Sequence, residues 1–430
     1  MKKTMKLIFT LLIVLIIAVS CKNQNKSADP PAYYYDVLRI KADLASSSMH
    51  TIYNPADFEE LEQDILAGKV NCTDCIYRLR KIFNKYHVAH VYLMENDSEK
   101  NKTMVLPVVF YNFGNEYHIC SATKKYEKYL GWKVNKINDI DINEAIEKIA
   151  EFRSYETVIS TKYYLERNIS YNDYKYAQLL NKKGKLKVEL KAPDGKTEIL
   201  NLKFINEKKN PFNKLRLEKE NNYLPHFEVN NYAVKPCKER QTLFIHFNRC
   251  IEMEDYPASE WFSDIIKELD TGLYDTVVFD LRYNTGGNSF TYEFLEKYKE
   301  EWKKYHIALI ATGRTYSAST WFMEAMLKMC PDAKIFGEET GQAIHNYTGI
   351  INEELKGLKC KFWFPLFLDE ISPLTLIKDR TDEYYRGIMP DVEVQESFED
   401  FMKGEDSIYN AIYDYFNKYN ASLLRKCDII

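Results

Sequence analysis

Glycine is scarce in this chain, 15 residues in 430, and neither sign of charge dominates: 59 Lys and Arg stand against 63 Asp and Glu, a net charge of −4. A balance of this kind argues against nucleic acid as a partner. There is no His-Glu-x-x-His, and the one Cys-x-x-Cys, Cys72-Thr73-Asp74-Cys75, has no second pair, so no metal-ligand array is recognisable and no cofactor is expected. Gly-x-Ser-x-Gly is missing too, which removes the nucleophile elbow of an α/β-hydrolase esterase. No internal repeat is evident. What is present is the profile of a soluble globular protein, 45% apolar and 28% charged, long enough for two or three domains with ample core.

The first residues read as a targeting segment. Lys2, Lys3 and Lys6 precede an apolar run, Leu7 to Val19, too short to span a bilayer comfortably. The run ends in Ile17-Ala18-Val19-Ser20-Cys21 and turns polar from Lys22 to Asp29. This order resembles a bacterial lipoprotein signal, with Ala18 where such signals usually carry Leu. The resemblance implies lipidation of Cys21, removal of 1–20, a flexible tether over 21–32 and a lipid-anchored place in a bacterial cell envelope. An ordinary signal peptide or an uncleaved anchor are the alternatives. Export permits disulfides, but spacing pairs none of the other eight cysteines, and free thiols or one local disulfide at Cys72 and Cys75 are expected.

Residues 33–86 carry apolar positions at helical spacing, so an N-terminal helical region is expected over 33–95. From His90 the texture changes to short strands, Val91–Met94, Val105–Phe110 and Glu116–Ile119. Leu130–Asp141 then precedes an amphipathic helix, Ile142–Phe152. Strand, turn, short strand and helix in that order resemble the carboxylate-binding half of a PDZ-like module, closed by Lys185–Leu190 and Thr197–Ile205; a plain α+β insertion is the alternative for 96–205. The polar stretch 206–222 reads as a linker. Beyond it, strands Thr242–Phe247, Thr276–Leu281, Ile307–Ala311 and Lys334–Gly337 alternate with helices Pro257–Leu269, Thr291–Tyr305 and Ala318–Met329. Such alternation predicts a largely parallel α/β core over 223–400, followed by a helical tail over 401–430.

The strand Thr276–Leu281 runs into Arg282-Tyr283-Asn284-Thr285-Gly286-Gly287, a paired-glycine turn that can present backbone N–H groups to an anion. Ser317 lies between a strand end and a helix start. There it either caps the helix or, near the positive end of the helix dipole, acts as a nucleophile. Ser319 is the second choice. Asp280 and Arg282 are expected to brace the turn from beneath, and Trp321 and Phe322 to belong to the core rather than a cleft.

Four segments in order, Asp280-Leu281-Arg282-Tyr283-Asn284-Thr285-Gly286-Gly287, Ser317-Ala318-Ser319, Gly337-Glu338-Glu339-Thr340-Gly341 and Gly387-Ile388-Met389-Pro390-Asp391, resemble the C-terminal-processing (tail-specific) serine peptidase family. The resemblance covers most of 36–395 and is strong over 241–394. It implies a ClpP/crotonase-like α/β core with a PDZ-like domain, and cleavage of peptide bonds. It makes Ser317 the nucleophile and builds an oxyanion hole from the N–H of Gly286 or Gly287 with that of Ala318. Many members use a lysine shortly after the Gly-Glu-x-Thr segment; here Gln342 and Ala343 occupy that place and the next lysine is Lys356, so a Ser–Lys dyad is not expected. The tricorn-like branch uses a histidine that follows a helix and opens a strand. His90 fits that place, with His87 and His345 in reserve, and an ordinary imidazole pKa of about 6.5 suits a base. The branch's orienting acid, before the Gly-x-x-Pro-Asp segment, is read as Glu383, with Asp382 beside it. The implied function is a membrane-tethered serine endopeptidase acting on envelope peptides or proteins. A non-catalytic peptide-binding protein on the same scaffold is the rival. The sequence does not specify an oligomeric state.

Overall fold

Every residue of Thr242–Phe247 and Thr276–Asp280 is buried, as is all of His306–Ala311 after its first residue. Strands buried on both faces belong inside a parallel sheet covered by helices on each side. The computed structural model, which describes residues 29–95, 104–166, 169–206, 212–214, 230–288, 290–344, 346–369 and 386–427, has this arrangement. Its central sheet runs Tyr232–Cys237, Thr242–Phe247, Thr276–Asp280, His306–Ala311, Lys334–Gly337, Val392–Glu393, the first pair antiparallel and the others parallel. Leu243, Ile245, Val277, Phe279 and Leu309 face the helices Ala258–Leu269 and Ala318–Met329. Phe244, Val278, Ala308, Ile310 and Phe336 face Ile408, Ile412 and Phe416 of the helix Ser407–Cys427. The C-terminal helix is therefore the second covering layer of the core.

The helix expected over 291–305 is two, Tyr292–Lys297 and Lys299–Trp302. The break sets the Trp302 ring 5.7 Å from Phe279 and 5.5 Å from Phe294. Trp321 also departs from expectation. It is 36% exposed, beside a surface cavity of about 470 Å³ that it lines with Tyr292. The helix Ala318–Met329 lies on the outside of the core, so only its inward side, with Phe322, Met323 and Met326, is covered.

The module over 104–214 is an antiparallel sheet covered by the helix Ile142–Ala150. Strands Phe212–Lys214, Glu116–Thr123, Lys133–Ile137, Leu186–Lys191 and Thr197–Leu202 lie side by side in that order; Val108–Phe113 also pairs with Glu116–Thr123. Phe212–Lys214 thus adds a strand inside the stretch read as a linker. The helix Ile142–Ala150 starts where Asp141 accepts a hydrogen bond from Asn143 N–H at 2.8 Å. Its buried Ile142, Ala145, Ile146 and Ile149 fall on one face and pack on Ile119, Val134 and Val188. The α/β core and this PDZ-like α+β domain follow the expected fold class.

Helices Ala32–Ser46, Glu59–Leu66 and Cys72–Asn84 form the N-terminal layer. They share their core with the hairpin Asn346–Leu355/Cys360–Asp369, whose Cys360–Trp363 pairs with Tyr92–Glu95. The chain therefore returns from the central sheet to the N-terminal layer, and this return fixes the segment that bears His90. Among the described residues no helix is long and apolar enough to cross a membrane. Cys72, Cys75, Cys120, Cys237, Cys250, Cys330 and Cys360 are free thiols.

Candidate active site

The turns after Asp280, Ala311 and Gly337 leave the sheet at its carboxyl edge, where α/β sheets bind ligands. Ser317 sits in the second of them with φ 60° and ψ −128°. Holding a non-glycine residue there costs of order 1–3 kcal/mol and requires that its surroundings dictate the conformation. They do: Thr315 Oγ1 donates to Leu281 O at 2.9 Å, Thr312 Oγ1 to Arg282 O at 2.6 Å, and Tyr316 N–H to Asn284 O at 2.9 Å. Although Ser317 occupies the cap position, its side chain makes no capping bond. Gln342 fixes the entry to the helix instead, its Oε1 accepting from Ser317 N–H and, at 3.0 Å, from Thr320 Oγ1. Among the described residues the Ser317 hydroxyl has no hydrogen-bond partner. Ser319 is its opposite: fully buried, with Oγ 2.8 Å from both Asn284 O and Tyr316 O.

The paired glycines are required by close approach. A Cβ on Gly286 would stand 2.5 Å from Ser317 Cβ, and one on Gly287 2.3 Å from Cys250 O. Gly286 N–H donates to Asn284 Oδ1 at 2.9 Å, so it belongs to the turn. Cys250 pairs with the outer side of the turn, donating to Gly286 O at 3.0 Å and accepting from Asn288 N–H at 2.6 Å. The N–H of Gly287 then points away from Cys250. Among the described residues neither that group nor the Ala318 N–H, in the first turn of its helix, has an acceptor.

His90 reaches this place from the N-terminal layer. Asn84 Nδ2 donates to Ala150 O and Arg153 O at 2.8 and 2.7 Å, and Ser154 Oγ to Val91 O at 2.8 Å, which docks its loop on residues 150–157. The imidazole centroid lies 5.2 Å from that of Tyr316, the residue before Ser317. The side chain is 15% exposed, yet its Nδ1 is buried and without a hydrogen-bond partner among the described residues. Burial lowers its pKa from 6.5 to about 4, which corrects the expectation of an ordinary imidazole value. His87 instead stands edge-on to Tyr155, 5.2 Å between centroids.

Glu156 joins this group, and sequence reasoning missed it. It is 3% exposed. Its Oε1 accepts from the Tyr316 hydroxyl and from Ala89 N–H at 3.3 Å, and its Oε2 from Ala343 N–H at 3.0 Å. Oε1 also lies 3.8 Å from His90 Nδ1. Burial raises its pKa from 4.5 to about 7 against the pull of those three donors. Arg153-Ser154-Tyr155-Glu156-Thr157 has no periodicity and no motif, so nothing local distinguishes this carboxylate from a solvated one.

No family model matches the sequence, and no curated protein matches it. Solved structures do. Mature CPAF complexed with lactacystin aligns at a TM-score of 0.58 and 10% identity, over 91% of this chain and 98% of that one. Mature CPAF by itself gives 0.53 and 11%, over 91% and 97%. The chain has the fold of CPAF. A photosystem II D1 C-terminal processing protease aligns at 0.40 and 11%, over 84% and 92%.

The CPAF-like fold brings together Ser317, Ala318, Gly286, Gly287 and His90. It also brings in Gln342, on Ser317 N–H, and Ala343, on Glu156, from the place where a lysine was sought. Glu383, Asp382, His345 and Cys21 lie outside the described residues. The segment after Glu383 is pinned by Gly387 N–H to Glu339 Oε1 at 2.7 Å and Ile388 N–H to Thr340 Oγ1 at 2.8 Å. Asp280 and Arg282 brace the turn as expected, Arg282 Nε lying 3.0 Å from Asp280 Oδ1.

Proposed function

We propose that this protein is a serine peptidase that cleaves peptide bonds through an acyl-enzyme, with Ser317 as nucleophile and His90 as base. The observation that carries the reading is the free Ser317 hydroxyl, held on a strained backbone beside two unspent N–H groups. The CPAF-like fold supports it. Ser317 Oγ attacks the substrate carbonyl while His90 takes its proton. The N–H groups of Gly287 and Ala318 receive the oxyanion, a contribution worth about 10²–10³ in rate per donor. His90 then gives the proton to the leaving amine, and a water repeats the sequence to release the acid. A serine-directed fluorophosphonate should label the wild type and not Ser317→Ala. A folded wild type that resists the probe would favour the non-catalytic peptide-binding alternative.

The reading extends to an endopeptidase tethered to a bacterial envelope through lipidated Cys21, on the strength of the basic, apolar, small-residue and cysteine order at the N-terminus. Cys21→Ser should abolish acyl labelling and leave unprocessed precursor; equal labelling would overturn the tether. The PDZ-like domain would take an extended peptide or its C-terminus along an open sheet edge. Deletion of that domain should impair cleavage of long substrates, and unchanged cleavage by a folded deletion would dismiss this role.

A further inference from the structure

Three segments that are far apart in the chain end on one carboxylate. Ala89 N–H comes from the histidine loop, the Tyr316 hydroxyl from the nucleophile loop, and Ala343 N–H from the turn after the fifth strand of the central sheet. We propose that Glu156 is the positioning residue of this site: it holds His90 with Nδ1 as the donor nitrogen and keeps the histidine loop against the loop of Ser317. The proposal rests on the peptidase reading above and adds to it a carboxylate that no motif supplies.

A neutral imidazole has one N–H and one lone pair, and the partner of one nitrogen decides which nitrogen is which. His90 Nδ1 is buried and has no hydrogen-bond partner among the described residues. The acceptor beside it is Glu156 Oε1, at 3.8 Å. That gap is wider than a hydrogen bond, as is common before substrate tightens a site. With the proton on Nδ1, the Nε2 lone pair is left to accept the Ser317 proton. When His90 becomes imidazolium, the charge facing it is Glu156. Among the described residues, the groups facing that carboxyl are the Tyr316 hydroxyl, the His90 ring and the two backbone N–H groups; no lysine or arginine neutralises it. A carboxyl present only to bind donors would have no reason to lie beside an unpartnered imidazole nitrogen. The residual exposure of the His90 side chain lies on atoms other than Nδ1.

Three measurements test this. First, Glu156→Gln should lower kcat at least about 10²-fold with KM changed less than about threefold, while circular dichroism and melting persist. Glu156→Asp should recover part of the loss. A folded Glu156→Gln with kcat within threefold of the wild type would overturn the proposal. So would a loss that falls on Glu383→Gln alone. Second, ¹⁵N spectra of the histidine rings, assigned with His90→Asn, should give the Nδ1–H tautomer for His90 in the wild type and a changed tautomer ratio in Glu156→Gln. Identical His90 spectra would overturn the proposal even if the protein proved not to be an enzyme, which keeps this failure apart from failure of the peptidase reading. Third, should Glu156→Gln not fold, the wild-type His90 shifts should step near pH 7 as Glu156 ionises. A flat response between pH 5 and 9 would overturn the proposal.

Discussion

Two buried groups of charges flank the loop of Ser317. On one side Arg282 and Arg314 face four carboxylates. Arg282 Nη1 lies 2.8 Å from Asp406 and Nη2 2.9 Å from Asp280; Arg314 Nη2 lies 2.6 Å from Glu166 and Nη1 3.0 Å from Glu396. On the other side Glu156 and His90 face each other, with no cation among the described residues near the carboxyl. Burial acts on both groups, and the nearest cation decides how far it goes. It pushes the Asp280 carboxyl up, but Arg282 and His246 more than offset this, and the group stays ionised below its ordinary value. An arginine cannot give up its proton to escape burial, so it favours charge in its neighbours, although burial still raises Asp406, which shares Arg282 with Asp280. Where no arginine is present, burial has its way, and Glu156 and His90 both move toward their neutral forms. The first group is a brace, tying the nucleophile loop to the PDZ-like domain through Glu166 and to the C-terminal segment through Glu396 and Asp406. The second group can move protons at accessible pH.

The comparison breaks most visibly if the brace is cut. Arg282→Ala strands the buried Asp280 carboxylate and should destabilise the protein by about 3–5 kcal/mol, read as a lower urea midpoint. His90→Ala should do the reverse, leaving the urea midpoint nearly unchanged while turnover falls by a factor on the order of 10³, about 4 kcal/mol in the barrier. If His90→Ala costs as much stability as Arg282→Ala, the two groups are not different in kind.

pH sharpens the distinction. Glu156 favours the folded state below its ordinary 4.5, and this contribution is lost as pH rises to about 7. His90 favours the folded state above 6.5, and its contribution is lost as pH falls to about 4. Between these limits the two oppose each other, so the wild type should be nearly flat. Glu156→Gln leaves the histidine term alone and should lose about 3 kcal/mol more than the wild type on acidification from 6.5 to 4, measured as urea midpoints across that range. Activity should fall on acidification through about pH 7, where Glu156 loses the charge that faces the His90 imidazolium, and the small activity left in Glu156→Gln should instead fall near pH 4, where His90 itself protonates.

The smallest effect concerns Gln342. Gln342→Ala removes the acceptor of Ser317 N–H, while Thr320 Oγ1 keeps Ser317 O at 2.7 Å, with an expected cost of about 1–2 kcal/mol in the urea midpoint. The strained backbone at Ser317 then loses one of its restraints, lowering the rate of fluorophosphonate labelling. Faster labelling would contradict a positioning role for Gln342.

Much of the core was legible in the sequence. The buried runs Thr276–Asp280 and His306–Ala311, the helix Ala318–Met329 and the strand Lys334–Gly337 follow from local apolar pattern. The order Lys133–Ile137, Ile140–Asp141, Ile142–Ala150 was equally readable. The hairpin Asn346–Leu355/Cys360–Asp369 was not. Its residues lie next to the core in sequence but bury against Val37, Leu79 and Phe83 of the N-terminal layer. Trp321 followed the apolar pattern of its helix and yet faces outward, because the core ends there.

The sequence by itself determined the elements, the position of Ser317 between a strand and a helix, the need for a paired-glycine turn, and a histidine between a helix and a strand. Those features depend on residues within a few positions of one another, where helix and strand periods act. Only the tertiary structure decided that Gln342 meets Ser317 N–H while the Ser317 hydroxyl is left free, and that Gly286 N–H is spent while Gly287 N–H is not. It also decided that Glu156 meets His90 in a dry place. Each of these is a matter of hydrogen-bond accounting and exclusion of water among segments tens to hundreds of residues apart, and no local pattern carries that information.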